Sequence, residues 1–120
     1  VRAGHEPALL YDPKDARFHK LDGEGVVLGV DESYRYQEST RHGWTPGSVL
    51  VIGTDGIHET RNENGAYFGR QRLQELIHKN HAQSADRIQK TIVAELTKFR
   101  GAAPQEDDVT MLALRRNKSD

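Results

Sequence analysis

The sequence predicts an α+β domain in which an antiparallel sheet carries a two-helix hairpin on one face. Short apolar segments separated by turn residues come first, two stretches with helical apolar spacing follow, and one more short apolar segment comes last. This order is typical of helices that cover one face of an antiparallel sheet. The sequence contains no internal repeat and no low-complexity segment.

The composition is that of one small soluble domain or a piece of a larger one. Of 120 residues, 35% are hydrophobic and 29% are charged, with a net charge of −1. Both signs of charge are interspersed, so we expect no nucleic-acid surface. The absence of cysteine excludes disulfides and thiolate chemistry. No apolar stretch approaches membrane-spanning length, so we expect no membrane contact and a cytoplasmic location.

The first third of the chain is predicted to form short strands and loops. It opens as though already inside a strand, turns through residues 4–7, and returns along residues 8–11 as the second arm of a hairpin. Such an opening suggests a piece cut from a longer chain. Further predicted elements are a strand over 17–21, a buried crossing segment over 26–30 and a half-exposed strand over 34–42.

The central element is the segment 49–52, which follows the turn Pro46-Gly47 and leads to Asp55-Gly56. Four consecutive large apolar residues, three of them β-branched, predict a buried strand. Ionised aspartate is seldom buried unless it is paired or bound to a cation, so Asp55 is a candidate metal ligand. The alternative is a turn residue whose carboxylate hydrogen-bonds its own backbone.

A second pair of carboxylates, Asp107-Asp108, precedes the apolar segment 109–114. If the two strands are antiparallel neighbours, Asp55 meets Asp107 or Asp108 at one end of the sheet. Converging carboxylates repel each other unless a hard cation lies between them, and Mg²⁺ and Mn²⁺ accept such ligands. We select Asp107 as the ligand; the alternative for either residue is the solvated start of an edge strand.

Two helices are predicted between these strands, after a helical turn over 57–61. The first covers residues 69–79, and Ser84 is the candidate N-cap of the second, which Gly101 and Pro104 end. Their apolar stripes consist of Phe68, Leu73, Leu76 and Ile77 in the first and of Ile88, Ile92, Leu96 and Phe99 in the second.

Three stretches of the chain resemble the PPM metal-dependent serine/threonine phosphatases, in their bacterial SpoIIE and RsbU-like branch. They are the segment AGHEPALL at residues 3–10, the segment TPGSVLVIGTDGIHETRN at residues 45–62 with Gly65, Phe68-Gly69 and Arg72-Leu73 after it, and the segment PQEDDVT at residues 104–110. The resemblance covers residues 3–116, nearly the whole chain.

The resemblance implies a PPM-type α/β/β/α sandwich with a two-metal centre, where Mn²⁺ or Mg²⁺ activates water for attack on phosphoserine or phosphothreonine. It implies that Asp55 and Asp107 are metal ligands and that Gly56, Asp108 and Glu59 lie beside them, although Glu59 is also explained as a solvated residue. The earlier half of the family's domain is absent from the sequence. Residues 1–116 are therefore expected to be the C-terminal portion of a catalytic domain, with residues 117–120 as a frayed end.

The histidines give weaker signals. His5 lies in a glycine-proline turn, where a catalytic acid is conceivable and a hydrogen bond to nearby backbone is expected. His78 and His81 are three residues apart at a helix end, which raises a zinc site as an alternative. We expect these two to be exposed, together with the three histidines that have no metal-ligand spacing, namely His19, His42 and His58.

The implied function of the intact protein is metal-dependent dephosphorylation of a regulatory phosphoprotein, of the kind that antagonises an anti-sigma factor. The alternative is a non-catalytic binding module with the same fold. For this chain alone we expect an incomplete coordination shell, weak or absent metal binding and no activity. We also expect self-association through apolar sheet surface and through an open edge at residues 1–3.

Overall fold

The computed structural model of the chain describes residues 1–118 as a four-stranded antiparallel sheet with two helices. The strands lie in the order β2-β1-β3-β4. Their bounds are Ala8–Asp12 (β1), Arg17–Leu21 (β2), Val49–Gly53 (β3) and Met111–Arg115 (β4), and the helices are Gly69–Asn80 (α1) and Ala85–Arg100 (α2). The predicted α+β order is confirmed. None of the described helices is long and apolar enough to cross a membrane.

All three strand pairs are antiparallel, and this decides which loops meet. The start of β1, the end of β2, the end of β3 and the start of β4 all lie at one end of the sheet, which we call the Asp55 end. Gly53 pairs with Met111 there. The strands of the two aspartate motifs are thus antiparallel neighbours, the condition under which the two motifs were expected to meet.

The core lies between the sheet and the two helices. From the sheet it contains Leu9, Tyr11, Val49 and Val51, which alternate with residues of the other face. Both predicted helical stripes pack against them, and the buried helical residues are Leu73, Ile77, Ile88, Ile92 and Leu96. Ser84 caps α2 as predicted, since its hydroxyl accepts a hydrogen bond from the backbone N–H of Arg87.

The opposite side of the sheet, which we call the outer face, is also apolar. It consists of Leu10, Leu50, Ile52, Leu112 and Leu114, which are register partners on neighbouring strands. Leu10 is buried, whereas Leu112 is 56% exposed and Leu114 is 42% exposed. Apolar residues on both faces of a strand are expected when both faces are covered by other parts of a protein. The exposed leucines of β4 therefore form an apolar surface on which a further layer of secondary structure could pack.

The predictions for the first third of the chain are partly wrong. Residues 1–7 form no strand, so the expected first hairpin arm and the opening inside a strand are not observed. Residues 26–30 are not a buried crossing segment: Gly29 has a φ of 84°, and Val27, Leu28 and Val30 are exposed. The open edges of the described sheet are therefore β2 and β4, and the expected edge contact at residues 1–3 loses its basis.

The predicted strand over 34–42 is also absent. Its alternating tyrosines contact each other, with ring centroids 4.8 Å apart for Tyr34 and Tyr36. The Tyr36 hydroxyl donates to the Val26 carbonyl, so local contacts rather than a strand partner explain the alternation. Residues 117 and 118 have no regular structure, and the rest of the predicted frayed end lies outside the described residues.

Candidate functional site

The two aspartate loops are held together at the Asp55 end by Thr54. Its backbone N–H donates to the Thr110 carbonyl at 3.1 Å, and its hydroxyl oxygen accepts from the Thr110 N–H at 3.1 Å. The same hydroxyl donates to the Asp108 carbonyl at 3.4 Å. The loop after β3 and the loop before β4 therefore form one connected unit. No motif in the sequence predicts this role for Thr54 or Thr110.

Gly56 lets the two loops approach closely. It is buried, and a Cβ atom at this position would lie 2.2 Å from the backbone oxygen of Asp108. Real Cβ atoms do not come so close to backbone, and the carbonyl is not the end of a flexible side chain that could move aside. Glycine is thus required here for space.

The chain turns tightly after Asp55, as expected for this segment. The Glu59 N–H donates to the Asp55 carbonyl at 2.9 Å, and the Thr60 hydroxyl donates to the Gly56 carbonyl at 2.6 Å. Ile57 is 1% exposed and anchors the turn in the core. The Asp55 side chain remains exposed at the surface of this anchored turn.

Glu6, Asp55 and His58 converge on the β1 side of this turn. One ligand atom from each lies within 4.8 Å of the others. Glu6 is brought there because it precedes β1, whose start lies beside the end of β3. His58 follows Asp55 by three residues, the spacing that places side chains on one face of a helical turn. No sequence motif predicts this group, and the prediction that His58 is exposed is wrong, since the residue is half-buried.

Arg70 on α1 forms an ion pair with Glu6. Its guanidinium lies 3.0 Å from Glu6 Oε2. Burial raises the pKa of Glu6, but the hydrogen bond and charge of Arg70 together with the charges of His58 and Arg2 outweigh it, so the pKa lies below its ordinary value. Glu6 is therefore an ionised carboxylate paired with Arg70.

Two pockets flank the turn formed by residues 54–60. A groove of about 310 Å³ includes Gly56, Glu59 and Asp107 in its lining. A second cavity of about 260 Å³ is lined in part by Glu6, Thr54 and His58. The predicted ligand Asp107 thus faces one side of the turn, while Glu6 and His58 face the other.

The structure brings the backbones of the two aspartate motifs together. The assignment of Asp55 and Asp107 as metal ligands stays a prediction. Asp107 Oδ1 accepts a hydrogen bond from the Asp108 N–H at 2.8 Å, and Asp107, Asp108 and Glu59 are all exposed. Within residues 1–118, neither group of three ligating side chains includes Asp107. Oxygen donors from Asp55 and Glu6 nevertheless fit the preference of Mg²⁺ and Mn²⁺.

The second group of three ligating side chains, Asp12, Asp15 and His19, lies at the opposite end of the sheet in the β1–β2 turn. Asp12 accepts from the Lys14 N–H, and Asp15 accepts from the Arg17 N–H. His19 Nε2 lies 3.0 Å from Asp15 Oδ2, and His19 is half-buried, so the expectation that it is exposed is wrong. The turn itself therefore uses the carboxylates of Asp12 and Asp15 as hydrogen-bond acceptors.

His78 and His81 pack on Tyr11 instead of forming a metal pair. The Tyr11 hydroxyl and His78 Nδ1 are hydrogen-bonded at 2.9 Å, and the Tyr11 and His81 ring centroids are 4.9 Å apart. Neither histidine belongs to a group of three ligating residues in the described part of the chain. His5 Nδ1 lies 2.9 Å from the Glu6 carbonyl, the expected hydrogen bond to nearby backbone.

His81 makes stability depend on pH. Burial lowers its pKa below the ordinary 6.5, and His78 and Arg115 lower it further. The unfolded chain then binds more protons than the folded chain at mildly acidic pH, so the free energy of unfolding rises with pH there. We expect the stability that depends on a neutral His81 to be fully present above pH 6.5. It should be lost as the pH falls through the pKa of His81 in the folded chain.

Urea unfolding between about pH 7.5 and about pH 5.5 measures this dependence. His81→Gln should flatten the slope of unfolding free energy against pH. His42→Gln changes an exposed histidine and serves as the control. Equal slopes in the wild-type chain and His81→Gln would show that His81 does not carry the effect.

Solved structures show the class of this fold. It is the fold of PP2C-type (PPM) phosphatase domains: the SiaA PP2C domain of Pseudomonas aeruginosa superposes with a TM-score of 0.76 at 24% identity, covering 94% of this chain and 44% of that chain. The phosphatase domain of SpoIIE from Bacillus subtilis, presoaked with Mn, has a TM-score of 0.68 at 15% identity, covering 98% and 50% of the two chains.

The chain belongs to the SpoIIE family, because residues 1–117 match the family described as stage II sporulation protein E (SpoIIE). It is 38% identical over 114 residues to the phosphoserine phosphatase RsbU of Bacillus subtilis (strain 168), covering 95% of this chain and 33% of RsbU. The chain thus spans about a third of the length of this relative. The resemblance stated from the motifs is confirmed.

Proposed function

We propose that the protein carrying this chain is a cytoplasmic, metal-dependent phosphatase that dephosphorylates phosphoserine or phosphothreonine on a regulatory protein. The observation that carries the proposal is the junction of the two aspartate loops by Thr54 at one end of the sheet. Family membership and the identity to RsbU, a phosphoserine phosphatase, support it. A phosphorylated antagonist of an anti-sigma factor is our proposed type of substrate.

We assign metal binding to Asp55 and Asp107, with Mn²⁺ or Mg²⁺ as the cation. The carboxylates of these two residues offer the hard oxygen donors that such cations prefer, and a related SpoIIE domain was presoaked with Mn. Bound divalent cations lower the pKa of water and stabilise negative charge on phosphoryl oxygens. Gly56 and Asp108 set the distance between the two loops, and Glu59 lines the groove beside Asp107.

We further propose that residues 1–116 are the C-terminal portion of the phosphatase domain. The chain covers 44% and 50% of the two solved domains described above, which leaves room for a second portion. That portion would supply the remaining metal ligands and cover the outer face. Without it, the chain should be inactive.

The isolated chain should self-associate through the outer face and the open edge of β4. Leu112 and Leu114 expose apolar surface, and an unpaired strand edge offers backbone hydrogen-bonding groups to another copy. Light scattering should give a mass above that of a monomer, and Leu112→Glu should reduce it. Val93→Glu, which adds the same charge at a residue 48% exposed on α2, should not. A compact, phosphatase-active monomer would contradict this expectation.

The experiment that tests the function is hydrolysis of a phosphoserine peptide by the intact protein with Mn²⁺ or Mg²⁺. A phosphotyrosine peptide and an excess of chelator are the controls. We expect turnover of the phosphoserine peptide that depends on metal. Binding of a phosphoprotein without turnover would instead identify the non-catalytic binding module.

A further inference from the structure

We propose that the groove beside Asp107 binds the segment of the phosphoprotein substrate that flanks the phosphorylated residue, and that it selects an apolar side chain in that segment. The groove has a volume of about 310 Å³ and lies between α2 and the loops that contain Gly56 and Asp107. The inference rests on the proposed function, because it takes Asp107 as a ligand of the metal at which phosphate is removed. It adds a determinant of substrate choice that lies outside the two aspartate motifs.

Two exposed apolar side chains line this groove. Tyr67 is 51% exposed, and Val93 on α2 is 48% exposed. Leu96, on the same face of α2 as Val93, is buried and also lines the groove. Exposed apolar surface in a concave site is typical of a binding site, because an apolar side chain that fills it removes both surfaces from water.

Tyr67 is held in place by its neighbours. The Arg61 guanidinium lies 4.8 Å from the centroid of the Tyr67 ring and donates to the Tyr67 hydroxyl at 2.7 Å. Glu63 Oε1 accepts from the Ala102 N–H at 2.8 Å, which fixes the segment between Arg61 and Tyr67 to the end of α2. A side chain that is already ordered loses little conformational entropy on binding, so Tyr67 is suited to anchor a ligand.

The groove connects Val93 with the loop of Asp107. Arg100, the last residue of α2, donates to Gln105 Oε1 at 2.9 Å, and Gln105 Nε2 donates to the Asp107 carbonyl at 3.0 Å. Val93 and Arg100 lie about 10 Å apart along the helix axis at about 1.5 Å per residue. An extended peptide covers that distance with about three residues, so we expect the selected apolar residue about three or four positions from the phosphoserine.

The charged residues of the groove do not favour one sign of charge in the ligand. The lining contains Arg61 and Arg100 together with Glu59, Glu106 and Asp107. Arg61 Nε lies 3.7 Å from Glu106 Oε2, and their side chains are 46% and 60% exposed. Exposed ion pairs contribute little to binding or stability. Contact with the two exposed apolar side chains is therefore the expected basis of selection.

The test is hydrolysis of phosphoserine peptides by the intact protein with Mn²⁺. The peptides have a glycine background and carry a single leucine at successive positions on either side of the phosphoserine. We expect one position at which leucine raises kcat/KM about tenfold or more over glycine, as an apolar side chain does when it fills an apolar pocket.

Variants show whether the groove causes this preference. Val93→Ser and Tyr67→Ala should each bring the ratio of kcat/KM for the leucine and glycine peptides close to one. A general structural defect would lower kcat/KM for both peptides and leave their ratio unchanged. Val30→Ser is the matched control, since Val30 is 73% exposed in the loop between β2 and β3 and does not line the groove. Val93→Glu should shift the preference from leucine to lysine, because it places a carboxylate where the apolar contact was.

The outcomes separate this inference from the proposed function. If the peptides are hydrolysed but leucine confers no preference at any position, or if Val93→Ser and Tyr67→Ala keep the wild-type ratio, the function stands and this inference is wrong. If no peptide is hydrolysed, fluorescence anisotropy of labelled peptides measures binding instead. A leucine preference in binding that Val93→Ser abolishes would then support the groove and contradict the proposed function, whereas binding without that preference would contradict both.

Discussion

Asp55→Asn is expected to reduce the phosphatase activity of the intact protein about 100-fold or more, since loss even of a residue that only supports a metal ligand costs about 10- to 100-fold. Asparagine keeps the shape of aspartate and removes the charge that attracts the cation. The Asp55 side chain is exposed on a turn held by backbone hydrogen bonds, so the fold should survive the change. The measurement is kcat/KM on a phosphoserine peptide in the presence of Mn²⁺.

A thermal readout tests the same residue without turnover. A ligand that binds only the folded state at about 100 times its Kd stabilises a protein by about 2.7 kcal/mol. Mn²⁺ should therefore raise the Tm of the wild type and raise that of Asp55→Asn much less. Asp15→Asn changes a carboxylate at the opposite end of the sheet and keeps an oxygen that can accept from the Arg17 N–H, so Mn²⁺ should raise its Tm as much as that of the wild type. Equal activity in Asp55→Asn and the wild type would remove Asp55 from the mechanism.

The parts of the fold that the sequence predicts well are those with strong local signals. Helix α2 carries an N-cap at Ser84, an apolar stripe and a terminal Gly101 with a φ of 59°, and each signal agrees with the others. Strand β3 combines β-branched residues with a preceding turn, and its antiparallel pairing with β4 is the arrangement that brings the two aspartate motifs to one end of the sheet. Local preference and tertiary packing point to the same structure at these elements.

The segment between β2 and β3 could not be predicted because its apolar residues are not used in the described core. Val27, Leu28 and Val30 are exposed, so their hydrophobicity wrongly indicated burial within this chain. The group of Glu6, Asp55 and His58 was missed for a different reason. Its members come from two segments that meet only through the pairing of β1 with β3, and no local pattern in the sequence predicts that pairing.

Gly56→Ala is expected to destabilise the chain and to reduce activity in the intact protein. The added methyl group would lie 2.2 Å from the Asp108 carbonyl oxygen, so the loop after β3 must move away from the loop before β4. Overpacking of this kind costs about 1–3 kcal/mol in unfolding free energy. Because a displacement of about 1 Å at a catalytic centre can cost about 100-fold in rate, we expect a comparable loss of kcat/KM.

The loss should follow from the position of the methyl group and not from the replacement of a glycine as such. Gly23→Ala is the matched control, since a Cβ atom there meets the side-chain oxygen of Ser39 at 3.3 Å and no closer atom. Neither Gly56 nor Gly23 has a positive φ, so backbone strain does not separate the two variants. The free energy of unfolding measured with urea and the Mn²⁺-dependent kcat/KM should both fall in Gly56→Ala. Both should stay near the wild-type values in Gly23→Ala. If Gly56→Ala kept full activity, the close approach of the two aspartate loops would not be needed for catalysis, and the assignment of Asp107 to the same centre as Asp55 would be wrong.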